Sequence, residues 1–332
     1  NFDEVRYEFF RDQTTLFEAF KAGEVILRPE DDATRWAEGY KFPAVADGRV
    51  RKLEIATGLP AGMTALVFNT RRPLFADARV RRALIELLDF EWINARLFSG
   101  GFARTQSFFQ RSELASAGLP ADAAERALLA PFADRVKPEV MAGTWRFPVS
   151  DGSGHNRARL AAAFALLKEA GFEQRGGKLV RATTGEPLGF EMMAANRTEE
   201  RLFQAFATSL ERLGILPRIR LVDSAQRWAR MRTFDFDMIQ WWWPASLSPG
   251  NEQMNRWSVE SAATELSLNY PGVREPGVDA MIEAILSARE RPAFVAAVRA
   301  LDRLLVSGDF VIPLYHAPKQ WIAHWATVAR PA

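Results

Sequence analysis

Apolar residues recur along the chain at two spacings, every second position and every third or fourth, and the switches between them predict the elements. Val5, Tyr7 and Phe9 alternate with Arg6 and Glu8, the signature of a strand with one buried face. Leu16, Phe17 and Phe20 then form a helical stripe, with Thr14 or Thr15 as cap and Gly23 where a left-handed C-terminal cap belongs. Val25 to Leu27 resume extended structure, completing a strand, helix, strand unit. A short helix is predicted over 31–40, a loop over 41–51, and strands over 51–55 and 63–69, the second apolar enough to be central in a sheet. Pro73 and Phe75 form a turn. Asp77 caps a helix whose stripe is Val80, Leu84, Leu87 and Leu88, continued by Trp92, Ile93 and Leu97 after a kink near Asp89.

Periodicity fades over 99–154 apart from a helical patch at 121–129, and irregular stretches of that length inside folded domains are often functional. A helix returns over 157–172. Strands over 178–182 and 188–193 are joined through Gly185, Glu186 and Pro187. Asn196 and Glu199 make a capping-box-like start to a helix with Leu202, Phe203, Phe206, Leu210 and Leu213 on its stripe. After a strand over 215–222, Asp223 or Ser224 caps a helix carrying Trp228 and Met231. An irregular region from 257 to Gly277 precedes helices over 278–289 and 292–306 and closing strands over 310–315 and 321–325. Strand and helix alternate through this half, which predicts an α/β layer with parallel pairing.

One stretch stands apart, FDFDMIQWWWPASLSPGNEQMNRW from Phe234 to Trp257. Phe234 to Trp243 contains neither Gly nor Pro and reads as a buried strand, and Pro244, Ser246, Ser248, Pro249, Gly250 and Asn251 are turn formers. A strand that delivers three tryptophans and then a polar loop has the composition of a ligand wall. Alternation sends Trp241 and Trp243 to one face and Trp242 to the other, and burial in a core is the competing fate of each.

Composition narrows the classes. In 332 residues, 48% hydrophobic content supplies a sizeable core, and 43 basic against 41 acidic residues leave a formal charge of +2 without runs. That balance, with a pI near 9.0, gives no electrostatic case for nucleic acid or an anionic membrane. No window approaches the ~20 apolar residues of a membrane span, and no signal peptide is visible. The absence of cysteine excludes thiol catalysis and disulfides. A start on Asn1 and an end on VARPA without a capping element suggest a piece of a longer polypeptide.

The order of motifs resembles the C-terminal half of the family 5 extracellular solute-binding proteins, the periplasmic oligopeptide and dipeptide receptors of ABC importers. DEVRYEFFRDQTTLFEAFKAGEV from Asp3, LVFNTRRPLFADARVRRAL from Leu66, ILPRIRLVDSAQRWARMRTFDFDM from Ile215 and VIPLYHAPKQW from Val311 carry the resemblance, and SLSPGNEQ from Ser246 looks most like the Yej-type oligopeptide branch. The resemblance implies an α/β fold, a type II periplasmic-binding-protein-like lobe with a mixed sheet and flanking helices. It also implies a division into a hinge-side part of the first lobe over 1–60, a second, ligand-binding lobe over 61–310 and a return toward the first over 311–332, with the N-terminal portion of the native protein absent. Function follows as capture of oligopeptides in the periplasm and delivery to the permease transmembrane subunits, with no cofactor, no membrane insertion and a monomeric state. Closure of two lobes about hinge strands would sequester the ligand. The better-known peptide receptors place an acidic residue in this loop for the peptide's free amino group; alignment on Pro249 finds Ala245 there, and Glu252 would have to substitute. That departure motivates an alternative ligand on the same fold: a murein peptide, a peptide-like antibiotic or an opine-type conjugate.

The ligand-binding candidates are Trp241, Trp242 and Trp243 as aromatic walls, Ser246, Ser248 and Asn251 as polar contacts, and Asn69, Asn269 and Tyr270 as further cleft residues. Arg79 and Arg81 read as lobe-packing ion pairs. The rival class is an enzyme, a glycosidase-like hydrolase above all, since Asp235 and Asp237 share one strand face. Against it, His155, His316 and His324 sit in no catalytic motif, although His316 and His324 could meet across a turn, and no Gly-rich phosphate cradle or metal-ligand spacing is present. No catalytic residue and no metal site are therefore expected.

Overall fold

Met63–Phe68 is a strongly apolar strand, with Met63, Ala65, Leu66, Val67 and Phe68 all buried, and it lies inside a five-stranded sheet as such a run must. In the computed structural model, which describes residues 7–329, the sheet order is Val311–Pro313, Met63–Phe68, Met238–Trp243, Gly189–Ala194, Leu216–Leu221. Gly189–Ala194 runs parallel to both of its neighbours, whereas Met63–Phe68 is antiparallel to both of its own, so the sheet is mixed. The parallel pairs are reached through the helices Arg197–Glu211 and Ser224–Arg232, as parallel pairing requires. Each starts on a side-chain cap: Asn196 accepts from the Glu199 N–H at 2.9 Å, and Asp223 from the Gln226 N–H at 2.8 Å. Asp77 caps Ala78–Leu87 in the same way, and that helix packs against Arg157–Glu169.

The chain divides into two units. The larger takes in Gly58–Leu97 and Ala103–His316; the smaller takes in residues up to Thr57, Phe98–Phe102 and the residues from Ala317 onward. In the smaller, Gln320–Trp325 is the central strand between Leu27–Glu30 and Val50–Ile55. Trp36 stacks on Trp321 at 5.9 Å, and buried Glu30 is held by Arg28, Arg35 and the Tyr40 hydroxyl.

The irregular stretch over 99–154 is fixed by two neighbouring charges of the buried helix Arg291–Ser307. The Asp302 carboxylate accepts from the Ser107 hydroxyl (2.8 Å), the Phe108 N–H (2.8 Å), and the N–H (2.9 Å) and hydroxyl (2.6 Å) of Ser116. Arg303 pairs with Glu125 at 2.6 Å and donates to the carbonyls of Leu119 and Val140. Loop backbone that cannot satisfy itself is thus satisfied by one helix.

Several elements differ from the sequence expectation. Val5 lies outside the described residues, and Tyr7 and Phe9 are exposed and outside any strand, so among the described residues no strand precedes the first helix. That helix, Gln13–Ala22, is capped by Asp12 rather than Thr14 or Thr15, because the carboxylate reaches the Thr15 N–H at 2.8 Å. Residues 73–76 and 252–257 are short helices, each with a nearby proline or glycine that reads locally as a turn. Lys178–Arg181 pairs back with Phe172–Arg175, around Gly176 and Gly177 at positive φ, and meets the chain leading to the next strand through the Val180–Pro187 bridge. The tryptophan strand begins at Met238 rather than Phe234, whose φ of 56° places it in a turn.

Candidate ligand-binding site

Met238–Trp243 outruns its parallel neighbour. Gly189–Ala194 pairs with it only at Met238 and Ile239, so the strand continues through Gln240, Trp241, Trp242 and Trp243 with Met63–Phe68 on one side only. The Thr64 carbonyl accepts from the Leu314 N–H at 2.8 Å, which turns the peptide groups of Thr64 toward the Val311–Pro313 flank. Alternation then turns the N–H and C=O of Trp242, opposite Thr64, away from Met63–Phe68 and toward the flank where the sheet has ended. Arg227, paired with Glu199 at 2.8 Å, occupies the Gln240 carbonyl at 2.8 Å and closes that flank one step earlier. The result is a short open peptide edge at the carboxyl end of parallel strands, the position at which open α/β sheets bind ligands.

The three tryptophans meet three fates. Trp243 is buried, its ring 4.8 Å from Trp257 and its Nε1 donating to the Leu268 carbonyl at 3.2 Å. Trp241 is half-buried against Tyr270 at 4.7 Å and Trp228 at 6.5 Å. Trp242 is 53% exposed and its Nε1 donates to the Ala61 carbonyl at 3.3 Å, which fixes the ring while leaving much of it open. Gly62 permits that arrangement: its φ is 74°, and a Cβ there would stand 2.3 Å from the Trp243 carbonyl oxygen and 3.0 Å from Trp242 Nε1. Sequence reasoning missed Gly62, since a lone glycine before a strand carries no sign of what approaches it.

The loop is braced from behind. Arg256 donates to the Pro244 carbonyl and Arg291 to that of Leu247, at 2.8 and 2.9 Å. Ser246 and Ser248 are exposed, with the Ser246 hydroxyl accepting from the Ser248 N–H at 3.2 Å. Asn251 is exposed and starts the next helix without a side-chain cap bond. These three residues and Trp242 share one accessible segment.

Asn69, Asn269 and Tyr270 do not join it. Asn69 donates to the carbonyls of Phe234 (2.9 Å) and Phe236 (2.8 Å), and Asn269 ties Ser258, Ser261 and Val273 together through both ends of its amide. Tyr270 is 2% exposed. Burial and internal hydrogen bonding place all three, with Trp243, in the framework behind the loop. Arg79 and Arg81 are structural, but Arg81 makes its bonds to the carbonyls of Phe75, Ala76, Gly308 and Asp309 rather than to a carboxylate. Arg79 chelates Asp77 and reaches the Glu169 carbonyl. Asp235 and Asp237 lie before the strand rather than on its face, and both are paired with Arg72, at 2.8 and 3.1 Å.

The family model of the bacterial extracellular solute-binding proteins, family 5 Middle, matches residues 1–265. The chain belongs to that family. Among family 5 relatives it is 46% identical over 338 residues to the peptidoglycan-binding protein YepA of Agrobacterium fabrum, covering 100% of this chain and 55% of YepA. It is 41% identical over 336 residues to the probable peptide-binding protein YejA of the same organism, covering 100% of this chain and 54% of YejA, which places it in the Yej-type branch. The chain spans about half the length of the curated relatives it matches. Its fold is that of the oligopeptide-binding protein AppA from Bacillus subtilis, with a TM-score of 0.69 at 18% identity over 95% of this chain and 54% of AppA. The type II fold expected from the motifs is therefore present. Family and fold are those of binding proteins, and among the described residues no helix is long and apolar enough to cross a membrane.

Within this family 5 chain, Glu252 is already engaged. Burial acts to raise its carboxyl, but the Gly250 N–H at 3.0 Å, its own N–H and the Gln253 amide outweigh that and hold it below the usual carboxylate range. The three histidines differ in their surroundings. His155 is exposed, His324 in the smaller unit lies 2.9 Å through Nδ1 from the Trp325 carbonyl, and His316 in the larger lies 3.1 Å from the Thr105 hydroxyl. Among the described residues no group of His, Cys, Asp or Glu is placed to hold a metal.

Burial, followed by the nearby Arg111 charge, lowers His316 from 6.5 to about 4. Between those values the unfolded chain binds the proton that the folded one refuses, so this contribution to stability is complete above about pH 6.5 and is lost as pH falls toward about 4. His316→Gln is expected to flatten the pH dependence of the melting temperature in that window; an unchanged slope would show that another group carries it.

Proposed function

We propose that the full-length protein is the substrate-binding component of an ABC importer, capturing oligopeptides in the periplasm and delivering them to a membrane permease. The observation that carries this reading is the open peptide edge at Trp242, continued by the exposed polar loop from Ser246 to Asn251. An extended ligand can add to such an edge through its own backbone, which gives affinity without regard to side-chain identity. The Trp242 ring supplies a rigid apolar wall, and the exposed hydroxyls of Ser246 and Ser248 with the Asn251 amide supply adaptable partners, directly or through water.

A second reading, favoured by a specific observation, makes the ligand a murein peptide. Ala245 stands where an acid for the ligand's free amine is expected, and Glu252 is engaged by Gly250 and Gln253. A ligand whose amino end is blocked, as in a sugar-linked peptide, needs no such acid, and a relative at 46% identity carries the name peptidoglycan-binding protein.

Calorimetry on the full-length protein, with a mixed oligopeptide pool and with cell-wall peptides in competition, tests both. Trp242→Ala is expected to weaken binding of the preferred ligand by roughly 5–30-fold, the usual loss for an anchoring aromatic worth about 1–2 kcal/mol. The melting temperature of the unliganded protein should stay within a few degrees, because the ring is half exposed. Unaltered affinity in the variant would remove Trp242 from the site.

A further inference from the structure

The short helix Glu252–Trp257 has two working faces. Trp257 packs on Trp243 behind the ligand loop, while Met254, 46% exposed, lines a separate open groove of about 520 Å³. The other wall of the groove is the helix Pro276–Ser287, which contributes Asp279, Ile282, Glu283, Leu286 and Ser287. These positions recur at three and four residues and so share one face over two turns. The helix already buries Val278, Met281, Ile282 and Ile285. Beside the buried Ile282, Leu286 is 43% exposed, and with Met254 across the groove it forms the open part of an apolar floor.

The charge around that floor has one sign. Glu260, Asp279 and Glu283 line the groove and, among the described residues, no lysine or arginine does, in a chain whose net charge is +2. Asp279 also accepts from the Val259 N–H at 2.9 Å, which ties the two walls together and makes the groove a built feature. An apolar floor under three carboxylates repels an anionic lipid surface and suits a protein segment bearing an apolar side chain flanked by lysine or arginine.

We propose that this groove docks a cationic, apolar-tipped segment of the importer's permease; the partner's identity rests on the receptor reading above. The groove shares a helix with the ligand loop, and Arg256 of that helix holds the Pro244 carbonyl at 2.8 Å. A partner seated here lies one short helix away from the loop that touches ligand.

The test uses the full-length protein carrying Glu283→Arg or Leu286→Asp, two exposed positions, with a photo-crosslinker at Ser287 in a third version. The expected result is peptide affinity within twofold of the parent by calorimetry, peptide uptake by cells lacking their own copy reduced at least tenfold, and a crosslink from position 287 to a permease subunit. Uptake at the parental level in both variants overturns the docking assignment, as does a crosslink to lipid or to a second copy of the chain. The receptor reading fails separately, through the calorimetry, if the unsubstituted protein binds no peptide-class ligand.

Discussion

Glu125→Ala is expected to lower the stability of the larger unit by about 3–5 kcal/mol, the usual result of stripping one partner from a buried ion pair. Glu125 and Arg303 are both essentially inaccessible and meet at 2.6 Å. The guanidinium also donates to the carbonyls of Leu119 and Val140, so it cannot withdraw to water without releasing two segments of the long irregular stretch. Chemical denaturation reads the loss directly. A change below about 1 kcal/mol would mean that Arg303 finds solvent by a small local movement. Replacing both partners together, Glu125→Leu with Arg303→Met, should recover much of the loss, because an apolar pair of similar volume leaves no buried charge.

Asn69→Ala is expected to cost about 1–3 kcal/mol by removing two buried hydrogen bonds of about 0.5–1.5 kcal/mol each; the Phe234 carbonyl keeps the Phe236 N–H at 3.0 Å and the Phe236 carbonyl keeps Arg72 Nε at 3.2 Å. Its Oδ1 also accepts from the Arg71 N–H and guanidinium, at 3.2 Å each, and Arg71 in turn holds the carbonyls of Ala262, Asn269 and Tyr270. Asn69 therefore positions the lead-in to the tryptophan strand and the segment behind it. In the full-length protein, ligand affinity measured well below the melting temperature should fall less than in Trp242→Ala. The opposite ranking would return Asn69 to the ligand-contacting set.

What the sequence shows locally, the fold repeats: the caps at Gly23, Asp77, Asn196 and Asp223, the buried run at Met63–Phe68 and the paired helices near the C-terminal end all depend on residues within a turn of one another. The candidate site was legible as a stretch but not as a set of residues. Which tryptophan is open depends on where Gly189–Ala194 stops, a fact of register between segments about 50 residues apart. Asn69 and Asn269 are polar residues in family-like positions, and nothing near them in the chain foretells that their partners lie at Phe234, Phe236 and Ser258. The long stretch over 99–154 read as a candidate functional loop because its anchors, Asp302 and Arg303, come some 150 to 200 residues later.

The central claim is that the protein is a receptor for peptide-class ligands, and native mass spectrometry of the gently purified full-length protein tests it most directly. The account predicts a bound population that releases peptides on denaturation: varied sequences for the oligopeptide reading, one sugar-linked or cell-wall-derived species for the murein reading. A protein that arrives empty and takes up neither ordinary oligopeptides nor cell-wall peptides on titration would contradict it.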